Sequence, residues 1–146
     1  MSKLLTRPAI LADMARITEI YTDAVLNGTA SYEIDPPTQA VMTERFEVLV
    51  GQEYPYIVAE GSDGTLLGYA YASAFRPRHA YRFMAEDSIY VAPEAKGRGV
   101  GRLLLEALVE ATQALGFRQM IAVIGDGRPD SPSVRLHERL GFHHSG

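Results

Sequence analysis

Apolar residues recur every three or four positions in several stretches of the chain, which is the spacing of an amphipathic helix. The first helix is predicted to begin at Asp13, which can cap it, and to end near Asn27. A second helix, over about residues 39–50, is predicted to follow the capping residue Thr38. The apolar face of the first helix contains Ile17, Ile20, Tyr21, Ala24 and Val25, and that of the second contains Val41, Phe46, Val48 and Leu49.

Two more helices are predicted in the second half of the chain. One follows a glycine-rich turn and continues to Leu115, where Gly116 ends it. The other begins after the capping residue Ser131, with Pro132 at its first position, and ends at Leu140 before a glycine.

Five short runs rich in β-branched and aromatic residues predict strands. They cover residues 4–9, 56–60, 66–74, 86–91 and 120–124. The turn from Gly61 to Gly64 joins the second and third strands as a hairpin. The element order β-α-α-β-β-β-α-β-α indicates a mixed α/β fold with helices on the faces of one sheet. Because no linker or repeat interrupts the chain, a single domain spanning residues 1–146 is predicted.

The composition narrows the classes of function. The 146 residues have a net charge of −4, which argues against nucleic-acid binding, because such proteins present a basic face. Cysteine is absent, so disulfides, thiolate metal sites and thiol nucleophiles are excluded. No apolar run approaches the ~20 residues of a membrane helix, and the N-terminus has no export signal, so we expect a cytoplasmic protein without membrane contact. His79, His143 and His144 show no metal-ligand spacing, so no metal is expected.

A glycine-rich loop with cationic side chains follows the strand that begins at Glu86. It reads Lys96-Gly97-Arg98-Gly99-Val100-Gly101, and Arg102 then begins a helix. Successive N–H groups in such a loop, with the positive end of the helix dipole behind them, bind phosphate groups. A Walker A loop would need Gly-Lys-Ser/Thr, and a dinucleotide fingerprint would need glycine in place of Arg102, so neither nucleotide motif fits. The loop is therefore predicted to hold the diphosphate of a cofactor.

Two motifs together resemble the GCN5-related N-acetyltransferase superfamily. The loop is similar to its acyl-CoA diphosphate motif, Arg/Gln-x-x-Gly-x-Gly/Ala, with Lys96 at the first position. Residues 130–142 are similar to its second motif, Asn-x-x-Ala/Ser-x-x-Leu-Tyr/His-x-x-x-Gly-Phe, with Asp130 in the place of Asn. Within the superfamily the phosphinothricin and methionine sulfoximine N-acetyltransferases are the most similar group. That likeness lies in residues 20–30, 78–81, 86–91, 122–125 and 132–141.

The resemblance implies the acyl-CoA N-acyltransferase fold and acetyl-CoA as co-substrate. Members of the group continue for about another strand pair beyond Phe142, so the C-terminal strands are expected to be missing from this sequence, and a homodimer is one assembly the resemblance allows. The expected acetyl-CoA site includes Ile89, Tyr90, Val91, Lys96, Gly97, Arg98, Gly99, Val100, Gly101, Arg102, Asp130 and Ser133. A backbone N–H around Ile89–Val91 would polarise the thioester carbonyl.

Acetyl transfer to an amine needs a base for the ammonium proton and an acid for the departing thiolate. Glu86 begins the strand that leads into the loop and is predicted to be the general base, as the resemblance also implies; the alternative is a surface carboxylate paired with Arg82. Asp87 points to the opposite face of a regular strand, and only a bulge would make it the base instead. His137, at the Tyr/His position of the second motif, is the candidate acid, or else a residue of the core.

The loop before this strand is unusually basic, and the amine substrate is predicted to bind beside it. Two guanidinium groups and a phenol can hold a carboxylate and a second anionic or polar group, although a solvated basic loop is the alternative. Tyr32 would form a wall of the pocket or pack in the core. The predicted substrate residues are Tyr32, Arg76, Arg78, Tyr81, Glu86, Asp87 and Ser88.

The sequence therefore predicts an acetyl-CoA-dependent N-acetyltransferase that acts directly on the α-amino group of a small amino-acid-like substrate, such as phosphinothricin, methionine sulfoximine or methionine sulfone. One alternative is a related enzyme acting on a protein N-terminus or a polyamine; a polyamine site should be acidic, which the basic loop disfavours. The other is a domain that binds acyl-CoA without turnover. This alternative remains because Lys96 and Asp130 depart from the two family motifs.

Overall fold

The computed structural model describes residues 3–27, 33–74, 84–116 and 119–122 of the chain. The strands are β1 (Leu5–Pro8), β2 (Tyr56–Glu60), β3 (Leu66–Ala74), β4 (Met84–Val91) and β5 (Gln119–Ala122). The helices are α1 (Met14–Asn27), α2 (Gln39–Gly51) and α3 (Val100–Ala114), with short 3-10 turns at Leu11–Asp13 and Pro93–Ala95. The mixed α/β prediction is confirmed, and the order of the described elements is the predicted one. The helix predicted after Ser131 lies outside the described residues.

The five strands form one sheet in the order β1-β2-β3-β4-β5. The first four strands are antiparallel, and β5 runs parallel to β4. Strand β4 pairs with β3 from Ala85 to Val91 without a break in register. Within the described residues it pairs with β5 over Met84–Asp87.

Each face of the sheet is covered by helices. On one face, which we call the α1–α2 face, the Tyr21 ring of α1 meets Tyr90 at a centroid distance of 5.1 Å, and Phe46 of α2 meets Tyr56 at 5.0 Å. On the other, the α3 face, Val100 and several leucines of α3 pack against the small side chains of β2 and β3. The buried residues of α3 are Val100, Leu104, Leu105, Leu108 and Thr112. No helix in the described ranges is long and apolar enough to span a bilayer.

Both predicted capping residues, Thr38 and Asp13, accept a backbone hydrogen bond, but Asp13 does so in the turn before α1 and not at the start of α1 itself. The Thr38 hydroxyl accepts a hydrogen bond from the Val41 N–H at 3.2 Å, which is the predicted cap of α2. The Asp13 carboxylate accepts from the Ile10 N–H at 2.8 Å, so it caps the 3-10 turn that precedes α1. The same carboxylate receives two hydrogen bonds of 2.9 Å from the Arg7 guanidinium, and this pair ties β1 to the start of α1.

The predicted apolar face of α2 was only partly right. Phe46 is buried and Leu49 is partly buried, but Val41 and Val48 are exposed, and Met42 is buried in their place. Met42, Phe46 and Leu49 are spaced by four and three residues, which is the helical period. The sequence run is apolar on several sides, so only contact with the sheet determines which side is covered.

Gly68 of β3 positions α3 on the sheet. A Cβ atom at this residue would lie 2.9 Å from the Tyr90 carbonyl oxygen, 3.0 Å from Val100 and 3.1 Å from Leu104. The first turn of α3 therefore rests directly on the backbone of β3, and Val100 is buried there. The helix begins at Val100, directly after the left-handed Gly99 and two residues before the predicted start.

Candidate active site

The glycine loop between β4 and α3 has the backbone that its sequence requires. Gly97 and Gly99 have φ values of +82° and +81°, a conformation that residues with a side chain rarely adopt. An added Cβ at either glycine would meet no atom within 4 Å, so the outer surface of the loop is open. The loop is therefore shaped by the backbone alone and leaves room for a ligand against it.

The start of α3 presents donors to this open surface. The Leu103 N–H is the first to bond within the helix, to the Gly99 carbonyl at 3.1 Å. Earlier N–H groups in the first turn of a helix have no acceptor in their own helix, and together with the helix dipole they attract anions. In the described part of the chain, no carbonyl accepts from Val100, Gly101 or Arg102. The loop thus fits the predicted diphosphate group.

Cationic side chains surround the loop. Lys96, Arg98 and Arg102 are all exposed. Arg102 forms a 2.9 Å ion pair with Glu106 one turn along α3. The residues from Lys96 to Arg102, predicted to bind the cofactor diphosphate, therefore line one loop. Val100 is buried, so it can offer a ligand its N–H group but not its side chain.

Strand β4 offers backbone groups beside the loop. The Ala92 N–H donates to the Leu67 carbonyl of β3 at 2.8 Å. Because N–H groups alternate between the two sides of a strand, those of Ile89 and Val91 point away from β3. The Tyr90 N–H, by contrast, faces β3.

Glu86 and Asp87 lie on opposite faces of the sheet. The register between β3 and β4 is unbroken, so side chains alternate as in a regular strand. Glu86, Ser88 and Tyr90 are on the α1–α2 face, whereas Asp87 is buried on the α3 face, opposite Ala72. There is no bulge that would turn Asp87 towards Glu86's side.

Glu86 is partly buried, and its environment favours the protonated carboxyl. Burial is the larger cause of its raised pKa, and the negative charge of Asp87 adds to it. A carboxylate whose pKa is raised towards neutrality holds a proton more readily than an ordinary glutamate. That is the property required of a general base that must accept an ammonium proton.

A polar and aromatic cluster lies on the same face of the sheet as Glu86, and the sequence prediction missed it. Tyr71 of β3 lies opposite Ser88 on the paired strand. Glu33 accepts hydrogen bonds from the Tyr21 hydroxyl and from Arg45, the latter at 2.7 and 3.3 Å. The alternation of Tyr69 and Tyr71 along β3 was the signal in the sequence, because residues two apart share a face of a strand.

Seven of the predicted site residues lie outside the described residues. They are Tyr32, Arg76, Arg78 and Tyr81 of the substrate group, and Asp130, Ser133 and His137 of the second motif. Within the ranges that the structure describes, no three His, Cys, Asp or Glu residues are grouped to hold a metal ion.

Several known proteins are similar to this chain. A sequence profile of the acetyltransferase (GNAT) family matches residues 15–142. A phosphinothricin N-acetyltransferase from Alcaligenes faecalis is 47% identical over 92% of this chain and 67% of its own length. An L-methionine sulfoximine/L-methionine sulfone acetyltransferase from Pseudomonas paraeruginosa is 40% identical over 96% of this chain and 80% of its own length.

A solved structure has the same architecture. A GNAT superfamily phosphinothricin acetyltransferase from Sinorhizobium meliloti, in complex with acetyl-CoA, superposes with a TM-score of 0.94 at 55% identity. The match covers 98% of this chain and 76% of that one. Acetyl-CoA is the co-substrate of this family of enzymes. The fold and the family predicted from the two motifs are confirmed, and the chain belongs to the acetyltransferase (GNAT) family.

Proposed function

We propose that this enzyme transfers the acetyl group of acetyl-CoA to the α-amino group of a small amino acid with an anionic or strongly polar tail. Phosphinothricin, methionine sulfoximine and methionine sulfone are the substrates of this type, as the names of its relatives suggest. The observation that supports this most is the arrangement of β4. One strand presents the Glu86 carboxylate on the α1–α2 face and leads at its other end into the glycine loop.

The proposed reaction is a direct transfer. Glu86 accepts a proton from the substrate ammonium group, directly or through a water molecule. The neutral nitrogen then attacks the thioester carbonyl carbon, the C–N bond forms, and the C–S bond breaks. An N–H group of Ile89 or Val91 stabilises the charge that develops on the carbonyl oxygen. Because the chain has no cysteine, no thioester to the enzyme is formed.

The remaining roles belong to residues outside the described ranges. His137 is proposed to protonate the departing thiolate, and Asp130 and Ser133 to contact the cofactor arm. Arg76, Arg78 and Tyr81 are proposed to hold the carboxylate and the polar tail of the amino acid, while Tyr32 borders the pocket. These roles rest on the motif positions and on the chemistry of guanidinium and phenol groups. The same proposal includes three further points: the chain folds as a single domain, it forms a homodimer, and it is cytoplasmic.

Thiol release from acetyl-CoA tests the proposal directly. The enzyme is incubated with acetyl-CoA and with phosphinothricin, methionine sulfoximine, methionine sulfone, ordinary amino acids, spermidine and a peptide with a free N-terminus. We expect the first three to give the highest kcat/KM. Turnover confined to spermidine or to the peptide would support the alternative enzymes. Thermal stabilisation by CoA with no thiol release from any amine would show a binding domain without activity.

A further inference from the structure

Arg16 of α1 contacts two segments that are far from it in the sequence. Its Nε donates to the Leu66 carbonyl at the start of β3 at 3.2 Å, and its guanidinium forms a hydrogen-bonded ion pair with the Glu94 carboxylate. Glu94 belongs to the 3-10 turn Pro93–Ala95, which lies between β4 and the glycine loop. One side chain of the first helix therefore connects the sheet to the segment that leads into the loop.

Backbone hydrogen bonds link this 3-10 turn to the sheet and to the loop. Ala92 and Ala95 are fully buried, and the Ala92 N–H donates to the Leu67 carbonyl of β3 at 2.8 Å. The Ala95 N–H bonds the Ala92 carbonyl at 2.9 Å, and the Arg98 N–H bonds the Ala95 carbonyl at 3.3 Å. Because turn and loop share these bonds, a displacement of the turn is passed on to the loop.

The glycine loop depends on its two ends for its position. At the end that enters α3, Val100 is buried against Gly68 of β3. At the other end lies the turn that carries Glu94. The glycines between them have no side chain that could fix the backbone. Successive N–H groups bind a phosphate group only when they converge on it, so the placement of both ends decides how well they do so.

The Arg16–Glu94 pair can influence an anionic ligand in two ways. It attaches the turn to α1, and it neutralises the charge of Glu94, which lies two residues before Lys96. The Arg16 side chain is 30% exposed and that of Glu94 is 58% exposed, so solvent weakens the pair and its effect is moderate. Attachment and neutralisation predict different affinities when both side chains are made neutral.

We propose that Arg16 is a positioning residue for acetyl-CoA: through Glu94 it holds the turn that carries the glycine loop, and so aligns the N–H groups of the loop with the diphosphate. This inference rests on the proposed role of the loop as the diphosphate site. Neither side chain touches the reacting groups in this scheme, so the amine substrate should bind and react as before once the thioester is in place.

A second carboxylate beside Arg16 provides the control. Glu19 lies 3.9 Å from Arg16 on the same helix, and the ion pair between them does not involve the turn. For Arg16→Gln we expect the Kd for CoA, measured by calorimetric titration, to rise about fivefold, the upper range for the loss of a partly exposed ion pair. Glu19→Gln should bind CoA as the wild type does.

A double variant separates attachment from neutralisation. Arg16→Gln/Glu94→Gln should bind CoA as weakly as Arg16→Gln, because the turn is still detached from α1. A return to the wild-type Kd would show that Arg16 only neutralises a charge, and would overturn the inference.

A shortened thioester tests whether the effect is confined to the diphosphate. S-acetylpantetheine has the acetyl thioester but no diphosphate, so its kcat/KM should be the same in Arg16→Gln and in the wild type. An equal fall with S-acetylpantetheine and with acetyl-CoA would show a general structural effect, and would also overturn the inference.

Gly99→Ala distinguishes a failure of this inference from a failure of the loop assignment. If Gly99→Ala weakens CoA binding and Arg16→Gln does not, the inference is wrong and the loop keeps its proposed role. If neither variant weakens CoA binding, the loop is not the diphosphate site and both proposals fail. The titrations need no turnover, so they remain decisive even if the wild-type enzyme releases no thiol with any amine.

Discussion

At the scale of single residues, Glu86 differs from an ordinary surface glutamate in two respects. It is partly buried on the α1–α2 face, and the carboxylate of the next residue, Asp87, is held on the opposite face. Burial comes first and the Asp87 charge second among the causes of its raised pKa. The strand alternation thus separates two neighbouring carboxylates in space but leaves them electrostatically coupled.

We predict that Glu86→Gln lowers kcat/KM by about 10²–10³-fold, the usual contribution of a general base. In the wild type, activity should rise as pH increases through the raised pKa of Glu86, because only the carboxylate can accept a proton. That rise should be absent in the variant, whose remaining pH dependence reflects the substrate amine. Initial rates from pH 5 to 9 measure both effects. An unchanged rate and pH profile would exclude Glu86 as the base.

The neighbouring carboxylate provides a control for that experiment. Asp87→Asn removes a negative charge that contributes to the raised pKa of Glu86. The acidic limb of the pH–rate profile should therefore move to lower pH, with activity on the plateau retained. A loss comparable to that of Glu86→Gln would instead indicate that Asp87 takes part in the proton transfer.

At the scale of elements, the site depends on how α3 and its loop are attached to the sheet. Gly68 allows the first turn of α3 to rest on the backbone of β3, and the two left-handed glycines of the loop lead the chain into that turn. Strand β4 carries the proposed base, Glu86, and leads at its other end into the loop. Loop, helix and strand end therefore meet at one place.

We predict that Gly99→Ala raises the dissociation constant for CoA about tenfold, because it strains a left-handed residue and puts a methyl group into the open loop. Gly116→Ala is the matched control. Gly116 has a φ of +90° and free space around it, but it lies at the other end of α3. Both variants should lose a similar ~1 kcal/mol of unfolding free energy. Calorimetric titration with CoA should distinguish them, and equal affinities would refute the diphosphate role of the loop.

At the scale of the whole molecule, ion pairs connect segments that are distant in the sequence. Arg7 of β1 contacts Asp13 at 2.9 Å and Glu60 of β2 at 3.3 Å, so the edge strand is tied both to α1 and to its neighbour. Arg16 of α1 bonds the Leu66 carbonyl of β3 at 3.2 Å and pairs with Glu94 after β4. These contacts hold the first helix and the edge strand against the sheet.

We predict that Asp13→Asn lowers the unfolding free energy by about 1–2 kcal/mol at pH 7. The expected loss is small because Arg7 is partly exposed and solvent screens the ion pair. Hydrogen bonding to Arg7 is the main cause of the lowered pKa of Asp13, so its stabilising effect is present at neutral pH. It is lost as pH falls through that lowered pKa. Wild type and variant should therefore converge in acid, as measured by urea unfolding at several pH values.

An exposed pair on the same helix is the control. Glu19 lies 3.9 Å from Arg16 and is largely exposed. Glu19→Gln should change the unfolding free energy by less than about 0.5 kcal/mol at any pH. If the Asp13 and Glu19 variants lose equal stability, the buried carboxylate has no special role in holding β1 to α1.

The sequence by itself determined the family, the order of the described elements and the glycine loop. Those features depend on local chemistry: the helical period, the caps such as Thr38, and glycines where the backbone must be left-handed. Only the tertiary structure decided which side chains from different strands and helices lie next to each other on one face of the sheet. Tyr71 and Ser88 are seventeen positions apart in the sequence and meet because β3 and β4 pair in one register. Cross-strand neighbours of this kind have no local pattern, so the cluster on the same face as Glu86 was not visible before the strands were aligned.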